Sequence, residues 1–302
     1  MAETMYEKQI EQQQADRQEI RTIGLIINSY KEQIVQIGRE VIAHLKAQGV
    51  HVLAMGDEAD ALQIAAVDAD AFCREAQMVV VIGGDGTMLR AARTVYGKEI
   101  PILGINQGYL GFLTEVEVEH LDNALAQLLS GNYQVERRMM LNATVYRDGV
   151  CIADVNALND MVVTKGALSR IIRTELYLDE QLVERHYGDG LIFSTPTGST
   201  GYSLSAGGPI VYPSVDVCIM APICSHSLIS RPMIFSPDHT LKVRMEAVSA
   251  PAMLTVDGQN GVELQQGDFI YIKKAEHDTC LLVLEQRNFF AVLQGKLRGS
   301  QG

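Results

Sequence analysis

The sequence predicts an α/β domain with a mostly parallel sheet, followed by a mainly β domain. In the first half, continuous apolar runs alternate with segments whose apolar residues recur at helical spacing. In the second half, short strand-like runs are separated by turns. Continuous apolar strands between helices are typical of a parallel sheet that is covered on both faces. A chain of 302 residues, 47% of them hydrophobic, can bury a sizeable core, so one or two domains are expected.

The first half opens as a strand followed by a helix. The run 22–28 is short and apolar, and Ile34, Val41 and Leu45 then recur at helical spacing until Gly49. Further strands are predicted at 50–54, 78–82 and 100–106, and further helices at 87–96 and 118–130.

In the second half, the pattern of alternating strands and helices gives way to one that predicts mainly strands. These strands are expected at 133–147, 154–164, 174–185 and 241–246, and a last segment at 287–297 has helix-like apolar spacing. The predicted organisation is a flexible N-terminal arm at 1–20, an α/β domain at 21–134, a mainly β domain at 135–286 and a C-terminal segment at 287–302 that packs back.

Composition and charge exclude some classes of protein. The chain has 37 acidic and 25 basic side chains, a formal net charge of -12, and therefore repels phosphate backbones on average, so a nucleic-acid partner is not expected. Five cysteines without a Cys-x-x-Cys pair indicate reduced thiols in a cytoplasmic protein. The first twenty residues lack an apolar stretch, which argues against a signal peptide or membrane anchor.

The apolar run 78–82 ends in Gly83-Gly-Asp-Gly86, for which two interpretations compete. One is a tight Asp-Gly turn between antiparallel strands. The other is a strand, a glycine-rich turn and a helix, because the residues after Gly86 are helix formers. In that arrangement backbone N–H groups at the helix N-terminus bind an anion. We expect phosphate to be bound by Gly83, Gly84, Thr87 and Arg90.

Asp85 is unusual in an anion site because a carboxylate repels phosphate. It needs either a positive partner such as Mg²⁺ or a task such as accepting a proton from an attacking hydroxyl, and both indicate phosphoryl transfer. Neither standard nucleotide fingerprint fits: the motif beginning at Gly84 ends in Leu89, and no Gly-x4-Gly-Lys-Ser/Thr occurs.

Two further stretches in the second half can be binding loops or ordinary turns. The segment 187–209 is dense in Gly, Ser and Thr, which suits a binding loop, but the same residues also satisfy their own backbone in a polar turn. Asn159-Asp160 before a predicted strand is usually turn chemistry. The seven histidines show no ligand spacing to one another, so a protein metal site is not expected and any divalent cation should arrive with a phosphate donor.

Taken together and in this order, the motifs resemble those of the bacterial NAD kinases, which phosphorylate the adenosine 2′-hydroxyl of NAD to make NADP. The resemblance runs from about residue 22 to 297. The motifs are Gly83–Thr87, Asn106–Glu115, Asn159-Asp160, Asp189-Gly-Leu, Thr195–Pro209, Ser225–Pro232 and Asp257-Gly-Gln259. The first motif is shared with phosphofructokinases and lipid kinases, whereas the run Thr195–Pro209 is much more specific.

The resemblance implies a phosphofructokinase-like α/β N-terminal domain, a mainly β C-terminal domain, a ligand cleft between them and a homodimer or homotetramer. Asp85 would be the base or orienter for the 2′-hydroxyl. The NAD-binding residues it implies are Asp85, Gly86, Phe112 near adenine, Asn159, Asp160, Arg170, Tyr187, Asp189, Thr200, Gly201, Tyr202, Ser203, Leu204, Ser205 and Gln259. The implied cofactor is Mg²⁺ or another divalent cation delivered with ATP or polyphosphate.

Two departures from the family pattern and two rival functions accompany this resemblance. Gly201 stands where the family commonly has Ala, and Asp160 where many relatives have Glu. The rivals are a lipid or sugar kinase that shares only the first motif, and a non-catalytic sensor of pyridine nucleotides. The run Thr195–Pro209 argues against the first rival, and Asp85 argues against the second.

Overall fold

The computed structural model describes residues 19–108, 111–166, 171–227, 229–247, 252–284 and 288–299. The chain divides into two compact units: Met1–Glu136 together with Cys280–Gly302, and Arg137–Thr279. The predicted arm at 1–20 lies almost entirely outside the described residues.

The first unit alternates strands and helices. Its strands are β1 (Thr22–Ile27), β2 (His51–Met55), β3 (Ala66–Val67), β4 (Met78–Ile82), β5 (Ile102–Asn106) and β6 (Val116–Glu117). Its helices are α1 (Glu32–Ala47), α2 (Gly56–Leu62), α3 (Ala69–Glu75), α4 (Asp85–Thr94) and α5 (Leu121–Leu129), the last preceded by a 3-10 turn at Val118–His120.

These strands form a mostly parallel sheet. β1 pairs in parallel with β2 and β4, and β4 pairs in parallel with β5. The order is β3-β2-β1-β4-β5-β20-β7, with β6 beside β5, where β7 is Gln134–Arg138 and β20 is Thr279–Val283. β4 is buried throughout, as the continuous apolar run predicted. The carboxyl ends of parallel strands lie at one edge of the sheet, and that edge carries the glycine turn after Ile82.

The second unit is built of antiparallel strands. These are β8 (Leu141–Arg147), β9 (Val150–Ala157), β10 (Asp160–Lys165), β11 (Ile172–Leu178), β12 (Gln181–Gly188), β13 (Gly190–Ser194), β14 (Cys218–Ile223), β15 (Met233–Phe235), β16 (Leu241–Ala247), β17 (Ala252–Val256), β18 (Gln259–Leu264) and β19 (Phe269–Lys274). A 3-10 turn at Thr197–Thr200 and the short helix α6 (Tyr202–Ser205) lie between β13 and β14.

Two six-stranded sheets organise this unit. One has the order β15-β14-β13-β10-β17-β18 and the other β12-β11-β16-β19-β8-β9. Their buried faces share one apolar core that includes Met161, Phe193 and Leu254 from the first sheet and Val145 and Ile270 from the second. Packing two alternating faces against each other accounts for the turn-rich pattern of this half of the sequence. The predicted fold class is confirmed.

Several element boundaries differ from the prediction. The runs predicted at 133–147, 154–164 and 174–185 each contain a break and belong to two successive strands. The β domain was expected to reach 286, whereas the second unit ends at Thr279 and β20 joins the first sheet, where Leu281 pairs with Ile102 in parallel. The last helix, α7, spans Phe289–Gly299 and belongs to the first unit.

Candidate functional site

The glycine turn of the first unit connects a parallel strand to a helix. β4 ends at Ile82 and α4 begins at Asp85, with Gly84 as its cap residue in extended backbone (φ -92°, ψ -172°). Because β4 has parallel neighbours on both sides, the interpretation of this segment as an antiparallel hairpin turn is wrong. Gly84 provides no side-chain cap, and its carbonyl accepts the N–H groups of Thr87 at 2.9 Å and Met88 at 3.2 Å. This is the local geometry of an anion site.

Two backbone groups hold the Asp85 carboxylate. The N–H of Phe112 donates to Oδ2 and the N–H of Leu113 donates to Oδ1, both at 3.1 Å. A side chain at Gly111 would collide with Asp85 Oδ1, so only glycine lets this loop approach the carboxylate so closely. A carboxylate can accept about four hydrogen bonds, and these two fix its orientation while leaving acceptor capacity on each oxygen.

The other residues of the turn vary in exposure. Gly83 is buried and Gly84 half-buried, whereas Gly86 is exposed and a side chain there would meet nothing within 4 Å. Thr87 is 9% exposed, and its side chain lies against Gly83. The turn therefore leaves open space at Gly84 and Gly86 beside Asp85.

Arg90, expected to bind phosphate, has two protein contacts. Its Nη1 forms an ion pair with Glu58 Oε1, and its Nη2 donates to the carbonyl of Ile27 at 2.8 Å. Glu58 is 6% exposed, and burial raises the pKa of its carboxyl while the Arg90 guanidinium acts in the opposite direction. Sequence reasoning missed Glu58, because a lone acidic residue in the first turn of a helix ordinarily lies in solvent.

Phe112, expected near adenine, contacts the C-terminal helix. Its ring lies 6.5 Å from the Phe289 ring, and Lys296 Nζ lies 5.1 Å from the Phe112 ring centroid. Since the backbone N–H of Phe112 also holds Asp85, α7 is connected to the carboxylate through one residue.

In the second unit, a turn aspartate organises Asn159-Asp160. Asp257 accepts N–H groups from Leu158 at 3.1 Å, Asn159 at 2.8 Å and Asp160 at 3.2 Å, and its own N–H donates to the Asp160 carbonyl at 2.9 Å. Asp257 is 8% exposed and has a positive φ of 48° in the β17–β18 turn. Its motif was recognised from the sequence, but its role was not.

The Asn159 amide oxygen and the Asp160 carboxylate are both buried. Asn159 Oδ1 is buried without a hydrogen-bond partner among the described residues. Asp160 is 7% exposed, and burial, followed by the neighbouring Asp257 charge, raises the pKa of its carboxyl to about 7. A turn would satisfy such groups locally, so turn chemistry does not account for the unpaired Asn159 Oδ1.

The Gly-, Ser- and Thr-rich loop packs against this pair. Thr195 Oγ1 donates to the Leu158 carbonyl at 2.5 Å and accepts the N–H of Gly198 at 3.1 Å. A side chain at Gly198 would collide with the Asn159 carbonyl, so this close approach requires glycine.

The Thr200 hydroxyl bonds within its own turn, as the turn interpretation expected, whereas the hydroxyls of Thr195 and Ser199 bond to residues outside the loop. Thr200 Oγ1 donates to the Thr197 carbonyl at 3.4 Å, and Ser199 Oγ donates to Val211 at 3.2 Å. Ser203 is fully buried, and its Oγ has no partner among the described residues. Around it, Thr200, Gly201 and Leu204 are half-buried, whereas Tyr202 and Ser205 are exposed.

The remaining predicted NAD ligands lie further along the second unit. Tyr187 is half-buried with the Arg173 guanidinium 5.5 Å from its ring centroid, and Asp189 Oδ1 pairs with Lys165 Nζ at 2.8 Å. Gln259 is exposed at the start of β18. Arg170 lies outside the described residues.

Within the described ranges, no group of three or more His, Cys, Asp or Glu side chains is placed to hold a metal ion. None of the helices in the same part of the chain combines the length and the apolar character that crossing a bilayer requires.

Comparison with known families gives two matches along the chain. The family described as "ATP-NAD kinase N-terminal domain" matches residues 23–133, and "ATP-NAD kinase C-terminal domain" matches residues 158–283. Similar proteins include the NAD kinases of Natranaerobius thermophilus, 43% identical over 93% of this chain and 99% of that protein, and of Moorella thermoacetica, 43% identical over 92% of this chain and 90% of that protein.

Two solved structures have a fold similar to that of this chain. An NAD kinase from Archaeoglobus fulgidus in complex with ATP superposes with a TM-score of 0.72 at 27% identity, over 92% of this chain and 98% of that one. Yeast NADH kinase complexed with NADH gives a TM-score of 0.87 at 23% identity, over 93% of this chain and 88% of that one.

Proposed function

The chain belongs to the NAD kinase family and is a kinase, and we propose that it transfers a phosphoryl group from ATP, or another phosphate donor, to the adenosine 2′-hydroxyl of NAD. The product is NADP. The observation that supports this most directly is the Asp85 carboxylate, held by two backbone N–H groups at the uncapped N-terminus of a helix.

Asp85 is the proposed catalytic residue. As the 2′-oxygen attacks, its O–H bond breaks and the proton passes to Asp85, while a P–O bond forms and the bond to the donor's leaving phosphate oxygen breaks. The hydrogen bonds from the N–H groups of Phe112 and Leu113 keep the carboxylate oriented towards the hydroxyl. In the first unit, NAD also meets Gly86 and Phe112.

Phosphate is held by the turn itself. The backbone at Gly83 and Gly84 approaches phosphate oxygens, and Thr87 and Arg90 lie in the first turns of the same helix. A helix N-terminus attracts negative charge, so this end of α4 suits a phosphoryl group that carries charge on its oxygens.

The second unit supplies the remaining NAD contacts. Asn159 and Asp160 hold polar groups of the dinucleotide, and the unpartnered Asn159 Oδ1 supports this role. Arg170, Tyr187 and Asp189 lie on the nicotinamide side in this assignment. The other proposed NAD-binding residues of this unit are Thr200, Gly201, Tyr202, Ser203, Leu204, Ser205 and Gln259.

The divalent cation, Mg²⁺ or another, arrives with the donor. A hard cation prefers oxygen ligands and binds through donor phosphates with few protein ligands. Asp85 is the carboxylate of the glycine turn that can contribute an oxygen to it. Once bound, the cation neutralises charge on the phosphates. We further propose a cytoplasmic homodimer or homotetramer that binds neither nucleic acid nor membrane.

One assay tests the function. Purified protein is incubated with NAD, Mg²⁺ and either ATP or polyphosphate, and NADP is measured with an NADP-specific dehydrogenase. We expect NADP to form with at least one donor. If NAD binds but no donor gives product, the protein is the non-catalytic sensor of pyridine nucleotides and the kinase proposal fails.

A further inference from the structure

An ion pair with one buried and one partly exposed partner lies at the same edge of the first sheet as Asp85. Glu58 is the third residue of α2, which follows β2, and Arg90 is the sixth residue of α4. β1, β2 and β4 are parallel, so their carboxyl ends share one edge. Ligands of open α/β sheets bind at that edge.

Three elements are joined by the pair. Arg90 Nη1 contacts Glu58 Oε1, and Arg90 Nη2 donates to the Ile27 carbonyl at 2.8 Å. The N–H of Ile27 points to the other oxygen, Glu58 Oε2, at 3.4 Å. The guanidinium is therefore fixed between the end of β1 and the first turn of α2.

Stability alone is a poor explanation for this arrangement. Glu58 is 6% exposed, and burying a charged group costs free energy that its ion pair does not always repay. Fixing the direction of a charged group is the remaining use of such a pair. The Arg90 side chain is 39% exposed, so part of the guanidinium faces solvent.

The remaining donors of Arg90 are suited to phosphate. A guanidinium has five N–H bonds in a planar fork, and the two protein contacts employ one on each Nη. Arg90 lies five residues beyond Asp85 on α4, roughly 7.5 Å along the helix axis, which is within reach of an arginine side chain.

We propose that Glu58 is a positioning residue that directs Arg90 towards the phosphates of the donor. The inference rests on the proposed function. The ligand chemistry is a polyanionic phosphate chain, and the two possible sources are the donor and the diphosphate of NAD. We assign the donor because Arg90 belongs to the helix that begins at the glycine turn.

Steady-state kinetics with each substrate varied separately test the proposal. Glu58→Gln retains the shape of the side chain and removes its charge. We expect it to raise KM for ATP about tenfold, the loss typical of one charge-assisted hydrogen bond, with a smaller change in kcat and an unchanged KM for NAD. Asp57→Asn, an exposed neighbour on α2, is the matched control and should alter none of these values.

A double-mutant comparison separates positioning from a structural role. Arg90→Gln should raise KM for ATP at least as much as Glu58→Gln, and adding Glu58→Gln to it should have no further effect, because Glu58 acts through Arg90. If Glu58→Gln lowers the melting temperature but leaves KM for ATP unchanged, the pair is structural and the proposal is wrong.

Three other outcomes bear on the proposal. If KM for NAD rises instead of KM for ATP, the phosphate belongs to NAD and the donor assignment fails. Should Glu58→Gln not fold, Arg90→Lys replaces it, since a lysine retains the charge without the fork and should still raise KM for ATP. Wild-type protein that makes no NADP contradicts the proposed function, not the positioning role.

Discussion

At the residue scale, the chemistry depends most on Asp85. We expect Asp85→Asn to reduce kcat by roughly 100- to 10,000-fold, the usual contribution of a general base, with little change in the Kd for NAD. Rapid-quench or coupled kinetics and a binding titration provide the two numbers. A variant that keeps kcat within about threefold of the parent would mean that Asp85 only shapes the loop at Phe112 and Leu113.

Asp257 orients the Asn159-Asp160 pair, although it was not predicted as a site residue. Asp257→Ala removes the acceptor of three backbone N–H groups. We expect the Kd for NAD to rise at least about tenfold and the melting temperature to fall, because those N–H groups stay buried without a partner. Asp238→Asn, an exposed aspartate of the same unit, is the control. If Asp257→Ala leaves the Kd for NAD unchanged, the hydrogen bonds to Asp257 are not needed to orient Asn159 and Asp160.

Asp160 should make stability depend on pH. Its pKa in the folded protein is about 7, above the value of 3.8 that an unperturbed aspartate has, so the folded state retains the proton to higher pH. The contribution of Asp160 to the free energy of unfolding therefore falls as pH rises from about 4 to about 7 and is constant above that.

Asp160→Asn should remove this dependence. Between pH 5 and pH 8, the free energy of unfolding of the wild type should fall by about 3 kcal/mol relative to that of the variant. This estimate takes about 1.4 kcal/mol for each pH unit over which the unfolded state is ionised and the folded state is not. Thermal unfolding of both proteins at the two pH values measures the difference. If the stability of the wild type and of Asp160→Asn changes equally between the two pH values, the pKa of Asp160 is close to that of an unperturbed aspartate.

At the element scale, α7 supports the loop that holds Asp85. Phe289→Ala removes the ring beside Phe112. We expect kcat to fall roughly tenfold, because small displacements of a catalytic group are costly, while the Kd for NAD changes less. Gln294→Ala, at an exposed position of the same helix, should behave as the wild type. If Phe289→Ala and Gln294→Ala have the same kcat, α7 does not support the loop that holds Asp85.

At the scale of the whole molecule, the two units differ in chain continuity. The second unit is the continuous segment Arg137–Thr279 with its own core, whereas the first needs residues from both ends of the chain. We expect a fragment 137–279 to unfold cooperatively on heating with a β-rich circular dichroism spectrum.

A chain that stops at Thr279 tests the other half of this idea. It lacks most of β20, so Ile102 loses a neighbour in the first sheet, and the first unit should unfold at a lower temperature than in the full chain. Equal melting of the first unit in both chains, or a disordered 137–279 fragment, would contradict this division.

The sequence by itself determined the fold class and the local chemistry of the glycine turn. A continuous apolar run before Gly83 and helix formers after Gly86 were sufficient, because strand, turn and helix are set by residues that are neighbours in the chain. The resemblance added the Asn159-Asp160 pair and the loop after Thr195 for the same reason, since each is a short contiguous motif.

Only the tertiary structure decided which distant groups complete these motifs. Asp257 lies almost a hundred residues from Asn159 and meets it because β17 pairs with β10. Glu58 meets Arg90 because α2 and α4 follow β2 and β4, the two strands that flank β1. The end of the second unit is a further case. The apolar sequence of β20 is compatible with a strand in either domain, so the local sequence does not predict its pairing with β5. Such contacts depend on strand order, and strand order is a property of the packed chain that no local pattern contains.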